Sequence, residues 1–180
     1  MNPVAINSGP ARRLSMAWMM TRVVASIASM AEVSVHAVSL EQTRLLRQTI
    51  LRPHETLEEL AGHEPPQAFA VGAFDGDELV AVGFVVPDGE VGAWRIRGMA
   101  TAPWARGRGI GAAVLDALIQ HAVTQGARRI WCNARTPARS LYERAGLRVV
   151  SDEFELPQIG PHLLMELEIA KPQHHSVPAP

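Results

Sequence analysis

From Val33 onward the hydrophobic positions fall into short runs with two distinct periods. Val33 to Val38 alternates apolar and polar side chains, which predicts a first strand. Ser39 and Gln42 then form a capping box for a helix through about Arg52 that buries Leu45, Leu46 and Ile50, and Pro53 ends it. Residues 54–66 hold a short helical turn, Thr56 to Ala61, between prolines and histidines, and read as a mobile loop over a site. Gln67 to Phe74 and Leu79 to Pro87 are β-rich runs joined by Asp75-Gly76-Asp77-Glu78, a hairpin signal. Pro87-Asp88-Gly89 turns into a fourth strand, Ala93 to Thr101. Strict alternation there places Trp94, Ile96 and Ala100 on one face and Arg95, Arg97, Met99 and Thr101 on the other. Ile110, Val114, Leu115, Leu118, Ile119 and Ala122 recur at helical spacing, giving a helix to Gln125 capped by Gly126. Ala127 to Asn133 is a fifth strand. Thr136 as N-cap and Pro137 start another helix, which Gly146 ends before a sixth strand, Leu147 to Phe154. Leu163 to Ile169 is a seventh. Strands alternating with helices and flanked by hairpins describe an α/β fold around one mixed sheet.

Composition narrows the class. A chain of 180 residues suits one domain, and 47% hydrophobic with 19% charged residues is ordinary for a globular protein. A net charge of −1 offers no global attraction to nucleic acid or to an anionic membrane, so neither is expected as a partner. Cys132 is the only cysteine, which excludes an intrachain disulfide and fits a reducing compartment. Residues 1–32 resemble a signal or membrane segment at first, with Arg12-Arg13 followed by an apolar run, but Arg22 interrupts that run. They are read as an extension, poorly ordered or produced by a misplaced start. Residues 170–180, proline-rich from Lys171, are expected to be a disordered tail, and His174-His175 within it is too little for a metal site.

The chemistry is concentrated between Ile96 and Ala112, where a strand runs into a glycine-rich turn and then a helix. Gly107, Gly109 and Gly111 sit where that helix begins. The first amides of a helix lack intrahelical acceptors and carry the positive end of the macrodipole, so this turn is a phosphate cradle, with Arg106 and Arg108 flanking it. Spacing separates three readings. No lysine follows the glycines, so a P-loop fails. Gly107, Gly109 and Ala112 fit the permissive dinucleotide pattern, but no acidic residue stands about 20 positions on, where Ile130 to Asn133 lie. Arg106, Gly109 and Gly111 satisfy [QR]-x-x-G-x-[GA]. Arg-Gly-Met-Ala-Thr-Ala-Pro precedes the turn, and Ala138-Arg139-Ser140-Leu141-Tyr142-Glu143-Arg144-Ala145-Gly146-Leu147 follows downstream. In these motifs, over about residues 33–169, the chain resembles the GNAT superfamily of acetyl-CoA-dependent N-acetyltransferases.

The resemblance implies a central, mainly antiparallel sheet of about seven strands whose fourth and fifth members splay apart. It places acetyl-CoA along the backbone of Met99, Ala100 and Thr101, with the pyrophosphate on Arg106, Gly107, Arg108, Gly109, Ile110, Gly111 and Ala112. Tyr142, the only tyrosine, takes the position of the acid that protonates the departing thiolate. Many relatives carry a cofactor-contacting asparagine seven residues before that tyrosine; here Arg135 stands there, with Asn133 two positions earlier. Glu153, Glu155 and His162 border the acceptor side, and none stands out as the base. Arg95 and Arg97, read as sharing a face with Met99, are candidates for a clamp on an acceptor carboxylate. The implied activity is transfer of an acetyl group to a primary amine of a small molecule, peptide or protein by direct attack in a ternary complex, in the cytoplasm, where acetyl-CoA is available. A second copy of the chain is a candidate partner. The competing function is an acyl-CoA-binding regulator without turnover.

Overall fold

The alternating run at the start of the domain forms β1 (Val33–Val38), the outer strand of an eight-stranded sheet in a computed structural model that describes residues 33–170. Residues 1–32 and 171–180, including the twin arginine and the paired histidines, lie outside the described residues. After β1 come α1 (Leu40–Leu51), α2 (Leu57–Gly62), β2 (Phe69–Asp75), β3 (Glu78–Pro87) and β4 (Ala93–Thr101). Then follow α3 (Ile110–Thr124), β5 (Arg129–Arg135), α4 (Arg139–Arg144), β6 (Arg148–Val149), β7 (Phe154–Leu156) and β8 (Gly160–Glu168). The strand order is β1-β2-β3-β4-β5-β8-β6, with β7 also paired to β8. Every pairing is antiparallel except that of β4 with β5.

Helix α3 follows its sequence pattern closely. Ile110, Val114, Leu115, Leu118, Ile119 and Ala122 are all buried, and burying a side chain of this size contributes roughly 1.5–3 kcal/mol. Gly126, at φ +83°, ends the helix in a Schellman arrangement, with the Ala127 amide donating to the Ala122 carbonyl at 2.9 Å.

Helix α1 departs from its pattern. The capping box between Ser39 and Gln42 forms as expected, but Leu45 is 65% exposed while Thr43 and Arg47 are buried. Arg47 lies 4.9 Å from the Phe84 ring centroid and pairs with Glu64 at 2.9 Å, and Arg44 reaches the same carboxylate at 2.8 Å. Burial alone would raise the Glu64 pKa, but hydrogen bonds from the two guanidiniums win and hold it below the ordinary carboxylate range. This buried ion pair fastens the segment after α2 to α1.

Strand β4 contains a bulge. Val82 pairs with Ala100 and Phe84 with Arg97, so Gly98 and Met99 together oppose Gly83. Gly98 has φ +62°, and a Cβ there would meet Phe84 at 2.7 Å, so only glycine fits. The extra residue reverses the alternation. A Cβ on Gly83 would collide with Met99 and with Leu118 and Val114 of α3, whereas Phe84 meets Arg47 of α1. Met99 therefore faces α3, and Arg97, cross-strand from Phe84, faces α1. The expected sharing of one face by Arg95, Arg97 and Met99 is wrong for this reason.

Three smaller differences follow from local bonding. Thr136 opens a 3-10 turn and gives its hydroxyl to Glu153 at 2.6 Å, leaving α4 to begin at Arg139. The expected sixth strand divides into β6 and β7, both against β8, so the sheet has eight strands. Strand β5 runs two residues later than its apolar core suggests, with Ile130, Cys132 and Ala134 buried in alternation.

Candidate active site

The glycine turn leads into the start of α3 with open space beside it. Gly107 and Gly109 have φ of +77° and +80°, and nothing lies within 4 Å of where their Cβ atoms would be. Gly109 is the N-cap of α3, and no side chain caps the helix. The amides at its start are thus free to hold an anion. A Cβ on Gly111 would meet the Thr101 hydroxyl at 3.0 Å, so its absence lets the end of β4 abut the helix start. Of the two arginines, Arg106 donates from Nε to the Thr101 carbonyl at 3.2 Å, and Arg108 pairs with Asp75 at 2.5 Å.

Strands β4 and β5 pair only from Ala93–Arg129 to Arg95–Trp131, although β4 continues to Thr101 and β5 to Arg135. Beyond Arg95 the two strands part, which leaves β4 backbone groups on that side without a strand partner. A cavity of about 130 Å³ occupies the gap. Its polar or reactive lining comes from Arg52, Arg97, Asn133, Arg135, Tyr142 and His162, and Met99 of β4 also lines it. Met99 and Thr101 are two positions apart, about 7 Å along a strand, so β4 leads directly from the cavity to the glycine turn.

Tyr142 is buried, and its hydroxyl makes no hydrogen bond among the described residues. Burial, with a smaller contribution from Cys132, pushes its pKa well up, so the phenol keeps its proton. His162 is 5% exposed, and its Nδ1 lies 2.7 Å from the Gly160 carbonyl. A carbonyl oxygen only accepts, so Nδ1 is the donor of this bond, and the contact fixes the orientation of the ring. One cavity thus holds a protonated hydroxyl and an oriented imidazole.

An open glycine turn at an uncapped helix start, parted strands and a hydroxyl at the parting agree with what the chain matches. Residues 37–147 match the model of the acetyltransferase (GNAT) family. The chain belongs to the GNAT family. A GNAT relative, the uncharacterized N-acetyltransferase YitI of Bacillus subtilis (strain 168), is 30% identical over 138 residues, covering 73% of this chain and 93% of that protein. Among solved structures, the ribosomal-protein-S18-alanine N-acetyltransferase of Escherichia coli superposes with a TM-score of 0.64 at 15% identity, over 81% of this chain and 99% of that one. A GNAT family acetyltransferase from Elizabethkingia anophelis with acetyl-CoA bound gives 0.59 at 16% identity, over 77% and 99%. At such identities the likeness is one of fold. As a GNAT acetyltransferase the protein is an enzyme of acyl transfer to amines.

Within this GNAT domain the residues read from the sequence divide into three groups. Met99, Arg97, Asn133, Tyr142 and His162 meet in the cavity. Residues Arg106 to Ala112 make up the glycine turn and the start of α3, with Arg108 turned toward Asp75. The third group lies elsewhere. The Arg95 guanidinium stacks 4.3 Å from the Trp131 ring centroid, and Trp131 donates to Asp88 at 3.0 Å. Ala100 is buried, Glu153 is bound to Thr136, and Glu155 is exposed on β7. Sequence reasoning missed Arg52 and Arg135 as cavity residues. Arg135 carried a signal, since it stands where relatives place an asparagine; Arg52, the C-cap of α1, carried none. Among the described residues no group of three or more metal-ligating side chains comes together, and no helix is long and apolar enough to cross a membrane.

Proposed function

We propose that the protein transfers an acetyl group from acetyl-CoA to a primary amine by direct attack, with both substrates bound at once. The observation that carries this reading is the continuity of the uncapped start of α3, the free edge of β4 and the cavity that holds Tyr142 and His162. Acetyl-CoA, as co-substrate, supplies the activated thioester. The α3 amides and the Arg106 guanidinium, whose remaining donors are free, hold its diphosphate. A β4 amide next to Met99 donates to the carbonyl oxygen as it gains charge. His162 Nε2 accepts a proton from the amine as the carbon–nitrogen bond forms, and Tyr142 donates to the sulfur as the carbon–sulfur bond breaks.

The test is release of CoA from acetyl-CoA by the full chain, measured with a thiol reagent against a panel of primary amines, with the acetylated product identified by mass. Cys132 is 1% exposed and burial pushes its thiol up to about 12, so the protein does not contribute to the signal. Amine-dependent release whose kcat falls about 100-fold in His162→Gln, with little change in CoA affinity, is the expected result. Tight CoA binding with no release from any amine overturns the reading in favour of a regulator.

A further inference from the structure

Three guanidiniums reach one small cavity from three different elements: Arg52 from the C-cap of α1, Arg97 from β4 and Arg135 from β5. Among the described residues no acidic side chain lines the cavity with them. Their neighbours leave much of their hydrogen-bonding capacity unused. Arg52 holds Glu55 through Nε at 3.3 Å, but its Nη1 is buried without a partner. Arg97 has no hydrogen bond or ion pair among the described residues, only the Phe84 ring at 5.8 Å. Arg135 donates from Nη2 to the Leu51 carbonyl at 2.9 Å, which turns its head toward α1. A buried donor left without an acceptor is costly, and a guanidinium presents its donors in a fork that matches two oxygens of one anion.

We infer that the amine acceptor also carries an anionic group, a carboxylate or a phosphate, seated on Arg52, Arg97 and Arg135. This rests on the acetyltransferase reading and specifies the substrate class for that same site. The charge environment supports it independently of shape. Burial lowers the Arg97 pKa, and Arg95, Arg47 and Arg52 lower it further, which marks a pocket with excess positive charge; Asp88 opposes them and is engaged by Trp131. Burial lowers Arg135 too, and Arg52 adds to it. The same excess acts on the acceptor's amine. It disfavours the ammonium form and so favours the neutral nucleophile, and it repels a polyamine, which brings further positive charge. The cavity is small, about 130 Å³, which suits a small anionic end.

The experiment compares matched acceptors in the CoA-release assay. Each amino acid is set against the amine left by removing its carboxylate, phosphoethanolamine against ethanolamine, and spermidine serves as the polycation. The anionic member of at least one series should have a kcat/KM about tenfold or more above its neutral partner, the scale of one charge-assisted hydrogen bond. Which series it is distinguishes carboxylate from phosphate. Arg97→Gln should raise KM for the anionic acceptor about tenfold while KM for acetyl-CoA stays unchanged; Arg52→Gln, at the cavity's edge, gives the same test if the first variant does not fold. Release with equal preference for neutral acceptors, or with spermidine as the best acceptor, overturns this proposal and leaves the acetyltransferase reading standing. No release from any amine overturns both.

Discussion

Replacing Ala112 by glutamate tests the cradle without confusing binding with folding. Valine at Gly109 would block the anion, but φ of +80° there strains any β-branched residue and the fold would suffer too. Ala112 is the third residue of α3, in ordinary helical backbone. A glutamate at that position reaches back toward the N-cap amide, as in a capping box, and places a negative charge at the positive end of the helix. Both effects favour the helix, by about 0.3–1 kcal/mol. Both oppose a diphosphate. Taking one amide out of the cradle costs binding about 1 kcal/mol. Two phosphate charges about 7 Å from the new carboxylate add about 1 kcal/mol at the dielectric constant of water. The sum, about 2 kcal/mol, is roughly a 30-fold rise in Kd. Ala112→Gln retains the reach and removes the charge, so its loss should be near fivefold. Titration calorimetry with CoA measures both, and the gap between the variants should close as salt shortens the Debye length. A folded Ala112→Glu protein with wild-type CoA affinity would refute the placement of the phosphates on α3. Equal weakening by both variants at every salt concentration would refute the electrostatic account.

Tyr142→Phe should lower kcat by about 100-fold with little change in KM for acetyl-CoA, since a hydroxyl that meets the sulfur only as it departs acts in the transition state; steady-state kinetics decide it, and a wild-type kcat reduces Tyr142 to packing. Glu64→Gln should destabilise the fold by about 3 kcal/mol, because Arg47 and Glu64 are each only 8% exposed in their side chains and one would be left charged and unpaired. At about 2–4 °C per kcal/mol, Tm in a thermal melt should fall by roughly 6–12 °C, and an unchanged Tm would mean the pair is dispensable. His121, stacked on Phe69 with ring centroids 3.6 Å apart, has its pKa lowered from 6.5 by burial. Its neutral form belongs to the folded state, so its contribution is complete above pH 6.5 and is lost as pH falls below that value. The decline in Tm between about pH 7.5 and 5.5 should therefore be shallower in His121→Phe than in the wild type, and parallel profiles would exclude a role for this ring.

The parts of this fold that were legible in the sequence are those where side-chain periodicity and backbone chemistry agree. The six apolar residues of α3 fit a single helical face, and Gly126 supplies the left-handed cap. Ser39 and Gln42 close the capping box of α1 because both partners lie within four residues of each other. Motif spacing placed the glycine turn at the start of α3 for the same reason. What was not legible depends on residues distant in sequence. Leu45 lies on the outer face of α1 because the inner face is occupied by Arg47 against Phe84 and Glu64, a partner 17 residues away. Thr136 fails to cap α4 because Glu153, also 17 residues away, takes its hydroxyl. His162 becomes an oriented imidazole only through the carbonyl of Gly160 and the pairing of β8 with β5 and β7.

The bulge in β4 has the widest consequence for the site. Gly98 carried a local signal, since a glycine inside a strand often marks a bulge, but strict alternation passed over it. Opposing one residue of β3 with two of β4 shifts the phase of everything on one side of that point. Had the alternation continued, Arg97 would have shared a face with Met99 under α3, among Val114 and Leu118, where a guanidinium has no acceptor. With the bulge, Met99 and Thr101 point toward α3 and its cradle, and Arg97 points toward α1, where Arg52 and Arg135 join it in the cavity. In the proposed reading one strand serves two ligands from opposite faces, and Gly98, the positive-φ residue between them, sets which side chains would meet the acceptor. Gly98→Ala should accordingly do more than destabilise: a Cβ 2.7 Å from Phe84 and 3.1 Å from Arg47 Nε must displace one of them. The expected outcome is a rise in KM for the acceptor that exceeds any change in CoA affinity, measured by calorimetry on the same folded variant. Equal losses for both ligands would show that the bulge supports the strand as a whole and does not partition it.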